Sequence, residues 1–278
     1  MKARALFILS FMLFALVIQA QDYLKLQFNY ANDLFKAEQY YDAITEYKRL
    51  LLFDSTNTYR YQAEYKIGES YKGGAKYDDA IKYFSHAEKD AQGKDEIFAA
   101  KTQVIRSNIL RRTTDRALQL LDELEKDSTF RGEIDTIYYW RGWAYMFADN
   151  WKSAARAFAV IDPYHPLKML ADQTDRAKVS VTFAKVISYI LPGAGSIYTG
   201  KILSGLMSLA WNTAAGYWTI NAFTSNRIFD GFVVGELVWF RFYRGSIQNA
   251  EEFAVQKNID IANKSLRYLQ NEYKGIKP

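Results

Sequence analysis

The chain has 278 residues, 49% of them hydrophobic and 16% aromatic, with 4 prolines, which is enough apolar material for one large or two small domains. It has no cysteine, so a disulfide framework, a thiol nucleophile and an acylated lipoprotein cysteine are all excluded. The formal charge of +5 is too mild and too evenly spread to point to nucleic acid.

The first element in chain order is a leader. Lys2 and Arg4 precede an uncharged run from Ala5 to Ala20, and Gln21-Asp22 begin a polar chain. That order of basic, apolar and small residues predicts a secretory signal over 1–20, cleaved between Ala20 and Gln21. The run is short for a bilayer span of about 20 residues; an uncleaved anchor helix is the alternative.

A repeat follows. The stretches "QYYDAITEYKRLL", "KYDDAIKYFSHAE", "TTDRALQLLDELE" and "NWKSAARAFAVID" each centre on an alanine: Ala43, Ala80, Ala117 and Ala154, 37 residues apart each time. Four residues after each alanine stands a large apolar residue, Tyr47, Phe84, Leu121 or Phe158. Twelve before it stand Ala31, Gly68, Ile105 and Gly142, and nine before it Leu34, Tyr71, Asn108 and Tyr145. Positions so spaced share one helical face, where a small residue admits a second helix and a large one fills the gap beside it. Polar breaks such as "KAEQ", "KGGA" and "FADN" separate two helices in each unit. One helix pair cannot bury its apolar face alone, so a stack of four pairs is predicted over 21–170.

These residues resemble the tetratricopeptide repeat family. "YKIGESYKGGAKYDDAIKYFSHA" and "YYWRGWAYMFADNWKSAARAFAVIDP" carry its small-aromatic-alanine-aromatic pattern almost fully, and Pro163 closes the fourth unit as that pattern would. The third unit departs from it at Ile105, Asn108 and Thr114. The period exceeds the family's 34, with the extra residues expected in inter-repeat loops such as "DAQGKDE". The resemblance implies a groove lined by the first helix of each pair, with Asn29, Asn32, Tyr65, Lys66, Glu69, Gln103, Arg106, Tyr139 and Trp143 facing inward. Amide, basic and aromatic groups on such a wall suit an extended peptide. Solvated or inter-repeat packing roles are the competing reading for each of them, and part of the Tyr139–Trp140–Trp143 cluster must be core.

Beyond "YHPLKMLADQTDRAKVS" the chain turns apolar. Ile202–Phe223 has 22 residues without a charge, about 33 Å as a helix, near the thickness of a hydrocarbon core. After the turn "TSNR" comes Ile228–Tyr243, which holds Gly231-Phe-Val-Val-Gly235, the spacing that lets helices approach closely in lipid. Asp230 and Glu236 within it are expected to face the partner helix, where Asn212 and Asn221 could meet them, or else to reach water. A membrane-embedded hairpin within 171–245 is therefore the expectation, with a compact helical pair packed on protein as the alternative. Val179–Leu191, a third apolar piece, reads as a short interfacial helix or a first span broken at Pro192. Lys201, Arg241 and Arg244 would sit near one face of the hairpin and Arg227 near the other.

Between these pieces lies "LPGAGSIYTGKI". Gly195 to Lys201 has the spacing of a phosphate-binding loop, but Ile202 stands where Ser or Thr would hold magnesium, and no strand precedes it. Backbone geometry accounts for the glycines better. Pro192 stops the incoming helix, Gly193 and Gly195 permit positive φ and close approach, Tyr198 is an amphipathic anchor suited to a membrane boundary, and Gly200-Lys201 precede the apolar helix. The run "LPGAGSIYTGKILSGLMSLAWN" resembles small bacterial membrane-hairpin families that open with Pro-Gly-x-Gly-x-x-Tyr-x-Gly, which implies an architecture and no reaction. The tail, 246–278, reads as an amphipathic helix with an apolar stripe of Ile247, Ala250, Ala254, Ile261, Leu266, Leu269 and Tyr273, packed on the repeats or on a membrane surface.

Two histidines, His86 and His165, and no clustered ligands leave zinc or nucleophilic catalysis without support. The expectation is all-α and non-enzymatic, with no metal or other cofactor and neither nucleotide nor nucleic acid as partner: an exported repeat scaffold in the cell envelope, its repeats on the periplasmic side, associated with a membrane through about 179–243 and holding a protein or peptide. The alternative is an assembly or insertion factor for membrane proteins that acts through the hairpin.

Overall fold

The computed structural model describes residues 23–278, and the expected leader lies outside them. Every regular element among the described residues is helical. The chain divides into two compact units. One comprises the described residues through Lys168 together with Ile276–Pro278, and the other is Met169–Gly275.

The first unit is a tandem array of helix-turn-helix pairs, consistent with a tetratricopeptide-like solenoid. Its first, or A, helices are α1 (23–36), α3 (Arg60–Gly73), α5 (Lys94–Leu110) and α7 (Ile134–Phe147). Its B helices are α2 (Tyr40–Phe53), α4 (Tyr77–Asp90), α6 (Thr114–Lys126) and α8 (Trp151–Ile161). Each pair meets where the spacing placed it. Ala43, Ala80, Ala117 and Ala154 are fully buried, as are Ala31, Tyr47, Phe84, Leu121 and Phe158. A Cβ on Gly68 would fall 2.7 Å from the Phe84 ring, and one on Gly142 2.4 Å from the Phe158 ring. In the third pair Ile105 is buried at the small-residue position, and its B-helix counterpart is Leu121 rather than an aromatic ring. Asn108 replaces the aromatic residue there and accepts a 2.8 Å hydrogen bond from Thr113.

The turn inside each pair is also periodic. Glu38, Ala75, Arg112 and Asp149, again 37 residues apart, all take positive φ, between 58° and 66°. The next residue in each case donates its backbone N–H to the carbonyl five residues back: Gln39 to Leu34, Lys76 to Tyr71, Thr113 to Asn108 and Asn150 to Tyr145. This is a Schellman cap, a position where glycine is favoured because it has no Cβ to strain. In "KGGA" the left-handed residue is Ala75, and neither Gly73 nor Gly74 has positive φ. Ala75→Gly is therefore expected to stabilise the chain by about 0.5–1 kcal/mol, the left-handed strain relieved less the extra entropy of glycine; a higher urea midpoint at unchanged slope would show it. The residues beyond a 34-residue period lie in the connection 54–59, in the long helix α5 and in the 3-10 turn Ser128–Glu133. Within "DAQGKDE", α5 already begins at Lys94.

After α9 (Pro166–Ala177), the second unit holds α10 (Val181–Ile190), α11 (Ala194–Tyr198), α12 (Ile202–Thr224), α13 (Ile228–Val233) and α14 (Phe240–Asn271), with a π-helical segment, Val234–Trp239, between the last two. Helix α10 has 10 residues, about 15 Å, and does not span a bilayer. Helix α14 runs unbroken from the hairpin into the tail and buries Ile247, Ala250, Ala254, Ala262 and Leu269. Among the described residues no helix is long and apolar enough to cross a membrane, which corrects the expectation of a spanning hairpin. Helix α12 lacks charge, but Asn212, Thr213, Asn221 and its serines interrupt its apolar sequence, and it falls short of a spanning segment.

Candidate functional site

Helices α3, α5 and α7 bring Tyr65, Lys66, Glu69, Gln103, Arg106 and Tyr139 into one neighbourhood, whose charges and phenols act on one another. Gln103 donates to the Tyr65 hydroxyl at 2.9 Å and accepts from Lys72 Nζ at 2.9 Å, which joins α3 to α5. Lys66 pairs with Glu69 at 2.7 Å and lies over the Phe35 ring. The Arg106 guanidinium stacks on the Trp140 indole, 4.7 Å from its centroid, which joins α5 to α7. Tyr139 packs edge-on against Trp140, Phe158 and His165.

The electrostatics of this wall are set by burial. Desolvation pushes the Lys72 ammonium down to about 8; the neighbouring Arg106 charge acts in the same direction and Glu69 opposes it. Burial also lowers Arg106, against the pull of Tyr65, Glu69 and Tyr139, and raises the Tyr65 phenol. Lys72 and Arg106 have no carboxylate ion-pair partner among the described residues. Glu69 is the carboxylate that acts on both cations, at longer range than an ion pair, and each is hydrogen-bonded to a neutral acceptor oxygen: Lys72 to Gln103, Arg106 to the Lys277 carbonyl.

The wall already carries such acceptors. Arg106 Nη2 donates to the Lys277 carbonyl at 2.8 Å, and the Tyr139 hydroxyl donates to the Ile276 carbonyl at 2.5 Å. Ile276 and Lys277 thus lie on the wall, and their main-chain carbonyls are bound there.

Three expected groove residues sit elsewhere. Asn29 is exposed, on the first A helix. Asn32 accepts a 2.7 Å hydrogen bond from Tyr47 and so ties α1 to α2. Trp143 is only 2% exposed and belongs to the interior of the fourth pair. Two residues that do belong to the wall, Lys72 and Trp140, were not among the candidates. Lys72 lies one turn beyond Glu69 on the same face of α3, a position the repeat phase reaches when carried one step further.

A second titratable cluster lies where α3 meets α4. Glu64 is 6% exposed and pushed up to about 7, by burial first and then by its contact with Asp90, against the charge of Arg60. Arg60 pairs with Asp90 at 3.1 Å, and His86 Nδ1 lies 3.8 Å from Glu64. A carboxyl raised on folding stabilises the fold below its unfolded value, about 4.5, and loses that contribution as pH rises through about 7. Glu64→Gln is expected to stabilise the protein by about 2 kcal/mol at pH 8 and to flatten stability between pH 4.5 and 7; urea titrations at several pH values measure both.

In the second unit the glycine stretch is built from backbone contacts. Gly193 has φ of 95°, donates its N–H to Ser246 Oγ at 2.8 Å, and would place a Cβ 2.1 Å from the Gly205 carbonyl oxygen. Gly195 donates to Ser188 Oγ at 3.1 Å and approaches the Ala184 carbonyl equally closely. Pro192 follows the end of α10. Gly200 caps α11 with φ of 90°, and the Tyr198 hydroxyl accepts from the Ser180 N–H at 3.2 Å. The N–H groups of Gly193 and Gly195 are thus satisfied inside the unit rather than turned toward a phosphate.

The two arms of the hairpin touch through small residues. A Cβ on Gly231 would lie 2.9 Å from the Phe223 ring, and one on Gly235 3.1 Å from Thr219. The acidic residues do not meet the asparagines of α12. Asp230 pairs with Arg227 in its own turn at 3.7 Å, Glu236 is exposed, and Asn212 donates back to the Ser208 carbonyl. The outer surface of the hairpin is nonetheless apolar: Leu203, Leu206, Tyr217, Ile220, Phe229, Phe232 and Leu237 are all more than half exposed. Comparison of the chain with protein-family models, with curated proteins and with solved structures finds no match.

Proposed function

We propose that the protein is an exported, membrane-associated scaffold of tetratricopeptide type that holds a protein or peptide partner in the cell envelope. The observation that carries this reading is the wall of α3, α5 and α7, where Lys72 and Arg106 stand partly dehydrated with no ion pair among the described residues and Arg106 and Tyr139 bind main-chain carbonyls. Such a wall recognises an extended peptide by its backbone and leaves the choice of side chains to the flanking rings. Attachment to the membrane surface is supported by the exposed apolar side chains of α12 and α13, with Lys201, Arg227, Arg241 and Arg244 near the ends of the hairpin. The reading needs no helix that crosses the bilayer.

The same apolar surface favours a second reading, in which the hairpin itself contacts inserting membrane proteins and the repeats are secondary. Crosslinking capture from native membranes separates the two. In the first reading Arg106→Ala in the full chain lowers partner recovery about tenfold, while Leu206→Asp with Phe229→Asp releases the protein from the membrane and leaves capture intact. Capture that survives Arg106→Ala and disappears with the hairpin substitutions would establish the second reading instead.

A further inference from the structure

Residues 276 and 277 lie on the candidate site. Two consecutive carbonyls, those of Ile276 and Lys277, accept hydrogen bonds from Tyr139 on α7 and Arg106 on α5. The Ile276 side chain is 67% exposed, so the contact made there is to the main chain and involves no buried side-chain anchor. Any extended segment with its carbonyls free could make the same pair of bonds.

We propose that Ile276–Pro278 occupy in cis the place an extended peptide takes in trans, so that this segment is a built-in competitor that a partner must displace. The inference rests on the reading of the wall as a peptide site. Hydrogen bonds of this kind are individually modest, even from a charged donor, which permits exchange. The covalent tether compensates by keeping the tail at a local concentration on the order of millimolar. A peptide of the same sequence then meets a site that is mostly filled in the intact chain and open once the last residues are gone.

The test uses a fluorescent synthetic peptide of residues 271–278, NEYKGIKP, with the intact chain and with a variant lacking 276–278. The variant is expected to bind the peptide about tenfold or more tightly than the intact chain does. Tyr139→Phe in the shortened chain, which keeps the ring against Phe158 and His165 and removes the hydroxyl, is expected to weaken binding several-fold; Arg106→Ala should weaken it further. Equal affinity for the intact and shortened chains, or no binding to either at millimolar peptide, would overturn the proposal. If the tail peptide fails to bind while Tyr139→Phe still loses the envelope partner, the tail proposal falls and the peptide-site reading stands. If the peptide binds the shortened chain regardless of Tyr139 and Arg106, both fall.

Discussion

Gly142→Ile is expected to destabilise the repeat unit by about 3 kcal/mol, the upper end of what overpacking a close-packed interior costs. A Cβ at 142 would lie 2.4 Å from the Phe158 ring, and that ring has nowhere to go: it is fully buried, stacked on His165 with centroids 5.2 Å apart, and met edge-on by Tyr139. The third pair shows the compensated solution, with Ile105 and Leu121 both buried at the corresponding positions. Adding Phe158→Leu to Gly142→Ile should therefore recover part of the loss, a coupling of roughly 1–3 kcal/mol in a double-mutant cycle read by thermal or urea unfolding. Strictly additive losses would mean that the two positions do not meet. Because Phe158 supports Tyr139, Gly142→Ile should also weaken whatever the wall binds.

The other large effect is expected in the glycine stretch. Gly195→Ala would place a methyl group 2.1 Å from the Ala184 carbonyl oxygen and 2.7 Å from the Ala250 Cβ. Gly193→Ala adds a left-handed φ to an equally close approach to the Gly205 carbonyl. Backbone atoms cannot rotate aside as a flexible side chain can, so each substitution should cost on the order of 3–5 kcal/mol, in the range reserved for broken packing or backbone strain. Gly200→Ala is the control: φ there is 90° but the space around it is open, so only the left-handed strain, about 1 kcal/mol, should appear. Circular-dichroism melts of the three variants would rank them. A loop serving phosphate would show the reverse, near-wild-type melts with lost nucleotide binding.

The repeats were legible because the same packing problem is solved four times at one interval. The small residue, the alanine and the large residue recur in phase, and Ala31, Ala43 and Tyr47 sit in the first pair as Gly142, Ala154 and Phe158 sit in the fourth. Most of the wall was legible for the same reason, since the A-helix face follows from the phase. Its edges were less so. Asn32 has the right phase, but Tyr47, a neighbour known only from the fold, takes it up. Lys72 drew no notice because its burial depends on α5 covering it. Trp140 is core by burial and at the same time the platform under Arg106, two roles that spacing does not separate.

In the second unit the strongest sequence signal is an absence. Absence of charge over Ile202–Phe223 suggested a span, whereas crossing a bilayer requires sustained apolar surface, which Asn212, Thr213 and Asn221 interrupt. The π-helical segment after Gly231 could not be read locally. The glycine approaches from which it extends, Gly231 to Phe223 and Gly235 to Thr219, are contacts between the arms of the hairpin.

The central claim is that the α3–α5–α7 face is the surface that meets the partner. A photoreactive amino acid placed at Lys66 or Glu69 on that wall, and for comparison at Leu206 or Phe229 on the hairpin, tests it in intact cell envelopes. A discrete protein or peptide adduct is expected from the wall positions, strengthened when 276–278 are removed, and mainly lipid adducts from the hairpin positions. Protein adducts confined to Leu206 and Phe229, with none at Lys66 or Glu69, would show that the wall does not meet the partner.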